Sequence, residues 1–206
     1  MRERYLIEEI KTAEKYMSEK KFKDACAVFE NIHDSIHFED AVDADNFLKY
    51  HILYGEAVLK SGNLIKAHEI FEEGLRQKLL NAQDGRTEVL MAELLNDCAY
   101  TEDMLGFFAG SEKNYLESKI LYEKNGCSYG LNYLHVLVNL ANLYKRMFVF
   151  DKAEKLFNAA VLVIDKNGGC PENVVDVVKN NTAGLYIKMG LFEKSERMYF
   201  DVMKMR

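Results

Sequence analysis

Apolar residues recur along this chain at the spacing of an α helix, in segments that come in pairs. NLANLYKRM (139–147) is apolar at every third or fourth position. After a short connection the same period continues through FDKAEKLFNAAVLVI (150–164). Because 3.6-residue periodicity places the apolar side chains on one face, each segment predicts an amphipathic helix. The pair predicts two helices joined by a tight turn.

The helix pairs repeat at a fixed interval. GSEKNY (110–115), KAEKLF (152–157) and KSERMY (194–199) each begin 42 residues after the one before. KAHEIF (66–71) and DACAVF (24–29) are also 42 apart, and a step of 44 links position 66 to position 110. A fixed period of this length is typical of a solenoid. The sequence therefore predicts a single domain over 1–206, with repeats at approximately 1–38, 44–82, 88–126, 130–168 and 172–206.

Three columns of equivalent positions follow this register. Small residues occur once in each first helix, at Ala13, Gly55, Ala99, Ala141 and Ala183. A second small column lies in the second helices, at Ala25, Ala67, Ser111, Ala153 and Ser195. Aromatic residues follow it, at Phe29, Phe71, Tyr115, Phe157 and Tyr199. Helices pack at close range where one presents a small residue to the ridge of the other, so both small columns are expected to be buried.

Glycines stand where three of the first helices are expected to end. Gly62, Gly106 and Gly190 occupy this position in the second, third and fifth repeats. A glycine there can take the left-handed conformation that closes a helix. Lys20 and Phe148 stand at the same position in the first and fourth repeats. These two residues depart from the glycine pattern of the turn.

Together these positions resemble the tetratricopeptide repeat. The shared features are a small residue in the first helix, a turn glycine, a bulky apolar residue opening the second helix, and then the small and aromatic columns. The 42-residue period, with VNLANLY (138–144) and NNTAGLY (180–186), is similar to the longer variant of kinesin light chains and bacterial peptide-sensing regulators. The resemblance implies an all-α fold, a right-handed superhelical solenoid of about five antiparallel helix pairs.

The same resemblance implies a binding surface, because the first helices of this family line a concave groove. Asparagines there can pair with the backbone of an extended peptide, and lysine or arginine can take a carboxylate or phosphate. Alternatively, the asparagines cap or bridge neighbouring helices. The peptide-binding residues expected by register are Asn96, Asp97, Tyr100, Asn139, Asn142, Lys145, Arg146, Asn180, Asn181 and Lys188.

The function implied by the resemblance is a protein-interaction scaffold that binds a peptide or a partner protein in this groove. The alternative is a peptide-sensing regulatory domain whose superhelix changes curvature on binding a small signal peptide. The sequence contains no Ser-His-Asp pattern, phosphate-binding loop or HExxH motif. It therefore predicts neither an enzyme nor a cofactor.

Charge and composition narrow the partners further. Residues 1–103 carry 13 Lys and Arg against 22 Asp and Glu, a balance of −9, and residues 104–206 carry 14 against 11, a balance of +3. This lacks the basic footprint that nucleic-acid binding needs. No apolar run approaches the roughly 18 residues that span a bilayer. Scattered cysteines without a CxxC pair predict free thiols in the cytoplasm (Cys26, Cys98, Cys127 and Cys170).

Two local features allow further hypotheses. His33 and His37 are four residues apart beside Asp34, Glu39 and Asp40, a spacing that could hold a metal on a helix. The favoured interpretation is an acidic connection between repeats, and no metal is predicted.

The second feature is an apolar strip on the last helix, formed by Met198, Val202 and Met205. The inner face of the final unit of a solenoid meets water unless something covers it. A homodimer through the C-terminal repeat is therefore expected. The alternatives are that the strip docks a different partner or that the sequence was cut from a longer chain.

Overall fold

The computed structural model describes residues 2–35, 43–76, 84–166 and 170–204, and these residues form ten α helices and no β strand. The first helices of the five repeats are α1 (Arg2–Ser18), α3 (Ala44–Lys60), α5 (Gly85–Leu105), α7 (Leu131–Arg146) and α9 (Glu172–Lys188). The second helices are α2 (Phe22–Ser35), α4 (Leu64–Arg76), α6 (Phe108–Lys124), α8 (Phe150–Lys166) and α10 (Phe192–Lys204).

The helices divide into two compact units, Met1–Leu121 and Tyr122–Arg206. In the first unit α3 packs against its own second helix, α4, and against the first helices of both adjacent repeats, α1 and α5. In the second unit α7 packs against α8 and α9, and α9 packs against α10. Within each unit, each first helix therefore packs against the second helix of its own repeat, and consecutive first helices pack against each other. The single-domain organisation stays a prediction.

Hydrogen bonds between α5 and α6 show the antiparallel pairing within one repeat. The Oγ of Ser111 donates to the carbonyl of Ala99 at 2.8 Å, and the Oγ of Ser118 donates to the carbonyl of Ala92 at 2.6 Å. The position on α5 falls as the position on α6 rises, so the two helices run in opposite directions. Both hydroxyls are buried, and these hydrogen bonds satisfy them. Serine therefore serves as a small residue at this close helix contact.

Both columns of small residues are buried in every repeat, as the sequence predicts. The closest approach is at Gly55 on α3, where an added Cβ would lie 2.1 Å from Cε1 of Phe71 on α4. The aromatic column is fully buried in the first four repeats (Phe29, Phe71, Tyr115 and Phe157). The fifth member, Tyr199, is 38% exposed. The predicted register is therefore correct, and the last repeat differs in how much of it is covered.

The turn between the two helices has the same backbone in all five repeats. Lys20 and Phe148 have φ of 59° and 60°, in the left-handed region occupied by Gly62, Gly106 and Gly190. After each of them the chain makes the same six-residue hydrogen bond, for example from the Lys21 amide to the Tyr16 carbonyl at 2.9 Å. This is the Schellman motif that ends helices. The two departures from glycine do not change the turn.

Two expectations from the sequence, no metal site and no membrane-spanning helix, concern segments that the structure describes in part. His37, Glu39 and Asp40 lie outside the described residues, and within the described ranges no three His, Cys, Asp or Glu side chains are grouped to hold a metal. Among the described helices, none has both the length and the apolar character required to cross a membrane.

Gly55→Ala and Gly184→Ala form a matched pair, since both glycines lie inside first helices. We expect Gly55→Ala to lower the free energy of unfolding by about 1–3 kcal/mol, because the methyl group would overlap the buried Phe71 ring. Gly184→Ala should raise it by up to about 1 kcal/mol, since only Lys145 Nζ lies near, at 3.9 Å. Urea denaturation measures both, and equal effects would contradict this account of the packing.

Lys20→Gly tests the left-handed turn at an exposed position. Glycine removes the steric cost of positive φ but adds entropy to the unfolded chain, so a net gain of roughly 0.5–1 kcal/mol in unfolding free energy is expected. Lys20→Ala keeps the Cβ and should leave stability nearly unchanged. A gain of the same size from alanine would mean that the lysine side chain, and not the backbone, carries the cost.

Candidate peptide-binding surface

The structure places the expected peptide-binding residues on the first helices of both units. Three lie on α5 in the first unit, and seven lie on α7 and α9 in the second. Each unit therefore has its own candidate surface. The α5 residues are Asn96, Asp97 and Tyr100, and the others are Asn139, Asn142, Lys145 and Arg146 on α7 with Asn180, Asn181 and Lys188 on α9.

On α5 the two adjacent polar residues contact each other. The Nδ2 of Asn96 donates to Oδ1 of Asp97 at 3.1 Å. The other carboxylate oxygen of Asp97, Oδ2, is buried and has no hydrogen-bond partner among the described residues. Tyr100, one turn away, is 37% exposed. An ionised carboxylate with a buried, unsatisfied oxygen is costly, so this position carries an electrostatic strain.

Two further carboxylates, which sequence reasoning missed, increase that strain. Burial raises the pKa of Asp97 well above its usual range, and the charges of Glu56 on α3 and Glu93 on α5 raise it further. Burial and the charge of Glu56 also raise the pKa of Glu93. Lys60 acts in the opposite direction on Asp97, and its Nζ lies 3.5 Å from a carboxylate oxygen of Glu56. The surface of the first unit is thus strongly acidic.

The repeat register contains a signal that would have found this cluster. One repeat earlier, the positions equivalent to Glu56 and Glu93 are Glu14 and Lys49, which form an ion pair at 2.7 Å. The same pair of positions therefore holds opposite charges between the first two repeats and like charges between the next two. Like charges at close range disfavour ionisation, in agreement with the raised pKa values.

In the second unit Lys145 extends from α7 towards α9. Its Nζ would lie 3.9 Å from a Cβ built on Gly184, and it also lies 5.7 Å from the ring centre of Phe157. Burial lowers the pKa of Lys145, and the neighbouring charge of Lys188 lowers it further. Lys145 on α7 and Lys188 on α9 thus place two ammonium groups on one surface of the second unit.

Within the described ranges, neither of these lysines has an acidic partner. Lys188 is exposed, and its Nζ lies 5.3 Å from the ring centre of Phe148. Among the residues that the structure describes, no carboxylate forms an ion pair with Lys145 or Lys188. Two like charges without a counter-charge attract an anion, and an anion bound between them would also remove the repulsion that lowers the pKa of Lys145.

The asparagines of the candidate surface lie on the same two helices as this lysine pair. Asn181 is partly buried, and its Nδ2 donates to the carbonyl of Val177 on its own helix at 3.0 Å. This hydrogen bond lies within α9, so it neither caps a helix end nor bridges two helices. Asn139 and Asn142 are partly buried on α7, while Asn180 and Arg146 are exposed.

A polar cavity in the first unit also went unnoticed at the level of sequence. It has a volume of about 440 Å³ and lies among α2, α3 and α4, and the charged residues that line it include Glu30, Lys66, Glu69 and Glu73. The Nζ of Lys66 lies 2.6 Å from Glu30, which raises the pKa of the lysine. These residues belong to two different second helices, so no short motif marks the cavity.

Comparison with solved structures relates this arrangement of helices to known proteins. The chain is similar to BtubC (BKLC) from P. vanneervenii, with a TM-score of 0.79, 20% identity, and coverage of 96% of this chain and 78% of that one. It is similar to TPR-like repeats of a Podosopora anserina protein of the kinesin light chain type, with a TM-score of 0.73, 15% identity and coverage of 99% and 95%. MamA AMB-1 matches with a TM-score of 0.63, 16% identity and coverage of 95% and 96%.

At these identities the likeness shows the fold. No protein-family model matches the sequence, and a comparison with curated proteins finds no match. The chain has the fold of tetratricopeptide-like repeat proteins. This confirms the predicted all-α repeat solenoid and the resemblance to the tetratricopeptide repeat. Fold does not determine function, which depends on the side chains that the first helices present.

Asp97→Asn tests the acidic cluster. The pKa of Asp97 is raised in the folded state, so folding is favoured when the group is protonated, and this contribution is lost as pH rises above the ordinary value of about 3.8. We expect Asp97→Asn to raise the unfolding free energy at pH 7 by roughly 1–3 kcal/mol, and by less at pH 4. Urea denaturation at both pH values measures it. A loss of stability at pH 7 would show that the ionised carboxylate is stabilising.

Proposed function

We propose that this protein is an interaction scaffold that binds an extended, anionic peptide segment on the α7–α9 surface of its second unit. The supporting observation is the pair Lys145 and Lys188, whose charges lie close enough to lower the pKa of Lys145 and have no carboxylate partner among the described residues. The likeness to tetratricopeptide-like repeat proteins supports a binding role. The peptide-sensing alternative stays a prediction.

The ligand group that fits the lysine pair is a carboxylate or a phosphate. Lys145 is half-buried, so an anion reaching it leaves bulk water and interacts with the ammonium in a medium of lower dielectric constant. Lys188 is exposed and supplies a second donor from the adjacent helix. Ionised acceptors make stronger hydrogen bonds than neutral ones, so this pair would give most of the affinity.

The asparagines would hold the peptide backbone beside that anion. An amide side chain offers both a donor and an acceptor, which matches the alternating N–H and C=O groups of an extended chain. Asn181 contributes its Oδ1, because its Nδ2 is bonded to the Val177 carbonyl. Asn139 and Asn142 lie three residues apart on α7 and therefore on the same side of that helix. Such contacts are independent of the ligand side chains.

A displayed library of random peptides, selected on the intact chain, tests the proposal. We expect the selected peptides to be rich in Asp and Glu, and to bind about tenfold or more weakly to the double variant Lys145→Gln, Lys188→Gln. The matched control is Lys155→Gln, Arg197→Gln, which removes the same charge from exposed positions on the second helices. Neutral selected peptides, or equal loss in the control, would contradict the proposal.

The asparagines require a separate measurement. Asn139→Ala, Asn181→Ala should weaken the same peptides while leaving the melting temperature nearly unchanged. A large fall in melting temperature would instead identify these residues as structural, in agreement with the bond between Asn181 and Val177.

A further inference from the structure

The last repeat exposes a surface that is covered in the repeats before it. The aromatic column is 0% exposed at Phe29, Phe71, Tyr115 and Phe157, but Tyr199 is 38% exposed. Phe192 and Phe200, on the same helix, are 67% and 52% exposed. With Ile187 from α9 they line a cavity of about 530 Å³. We call this surface, formed by Ile187, Phe192, Ser195, Tyr199 and Phe200, the C-terminal face.

The first unit shows what covers the equivalent surface. The Phe29 ring lies 5.8 Å from that of Tyr50 and 5.5 Å from that of Tyr54, both on α3 of the next repeat. The hydroxyl of Tyr50 also donates to the Phe29 carbonyl at 3.3 Å. The covering element is thus a first helix that presents two side chains one turn apart.

The same two positions are filled and buried in the other first helices that follow a covered repeat within one unit. They are Leu94 and Cys98 on α5, and Val178 and Thr182 on α9. The residue directly after the second position is small each time (Gly55, Ala99 and Ala183). The helix that covers Phe29 ends in Lys60, and the Nζ of Lys60 lies 5.9 Å from the ring centre of Phe22. The repeat register therefore describes the chemistry of the helix that fits.

We propose that the C-terminal face binds an amphipathic helix of another protein, with apolar residues at positions i and i+4, a small residue at i+5 and a basic residue near its C-terminal end. Phe192 is the equivalent of Phe22, so a basic residue at i+10 would lie over Phe192 as Lys60 lies over Phe22. The carboxylates of Glu193 and Glu196 also line the cavity and complement a basic helix end. This site does not depend on the α7–α9 surface.

The helices at the two ends of the described chain fit this surface poorly. On α1 the position equivalent to Tyr50 holds Glu8, which is exposed and charged, so a head-to-tail contact would bury a charge. Over residues 192–200 of α10, the large apolar residues that are exposed are all aromatic, and a face made of bulky rings does not allow close approach of a second helix. A second copy, expected from the sequence as a homodimer, is therefore the weaker candidate.

A fluorescent peptide with the sequence of α3, residues 44–60, is a suitable probe because that helix covers Phe29 in the intact fold. The control peptide carries Tyr50→Glu and Tyr54→Thr, the residues that α1 has at these positions. Fluorescence anisotropy should show saturable binding of the first peptide to the intact chain and at least tenfold weaker binding of the second. Equal affinity for both peptides, or no binding, overturns the proposal.

Protein variants locate the binding site. Phe192→Lys, Phe200→Lys should weaken the α3 peptide at least tenfold, whereas Ile65→Lys, Leu162→Lys, which changes two other exposed apolar residues, should leave its affinity unchanged. Thermal melts of both variants confirm that they fold. Light scattering tests whether a second copy of the chain occupies the face instead. If the wild type has the mass of two chains and the variant Phe192→Lys, Phe200→Lys has the mass of one, the face belongs to a homodimer and the proposal is overturned.

Discussion

The close approach of the two helices within each repeat is the constraint on which the rest of the structure depends. Only Gly, Ala or Ser occupies the two facing columns, and at Gly55 even a methyl group would overlap the Phe71 ring. Once the helices are this close, the turn between them has little freedom. Lys20 and Phe148 therefore take the left-handed conformation that glycine takes elsewhere. The packing, more than the turn residue, defines the repeat.

A fixed register leaves the outward positions of the first helices free to differ in chemistry. Between the first two repeats one pair of positions holds Glu14 and Lys49 in an ion pair, and between the next two it holds Glu56 and Glu93. On α7 and α9, Lys145 and Lys188 lie close enough that the charge of Lys188, together with burial, lowers the pKa of Lys145. The same scaffold therefore carries carboxylates on α5 of the first unit and lysines on α7 and α9 of the second unit, so the two candidate surfaces differ in the sign of their charge.

The period, the columns and the helix pairs could be predicted from the sequence because they depend on residues within one repeat. The electrostatics could not be, because they depend on which long side chains of adjacent repeats meet. Glu56 and Glu93 are 37 positions apart and raise the pKa of Asp97 only after the helices pack. The α7–α9 residues were placed on first helices as expected, but neither the burial of Lys145 nor the bond of Asn181 to its own helix has a sequence signature.

Packing between neighbours alone has a consequence for how the chain folds. Within each unit the packed helices are adjacent or next-but-one in sequence, so no contact requires the closure of a long loop. Chains dominated by such local contacts fold fast, and a solenoid can begin folding at any repeat and extend from there. The opening of α10, which packs on α9 alone, should therefore cost less free energy than global unfolding, so its amide protons should exchange before those of α3.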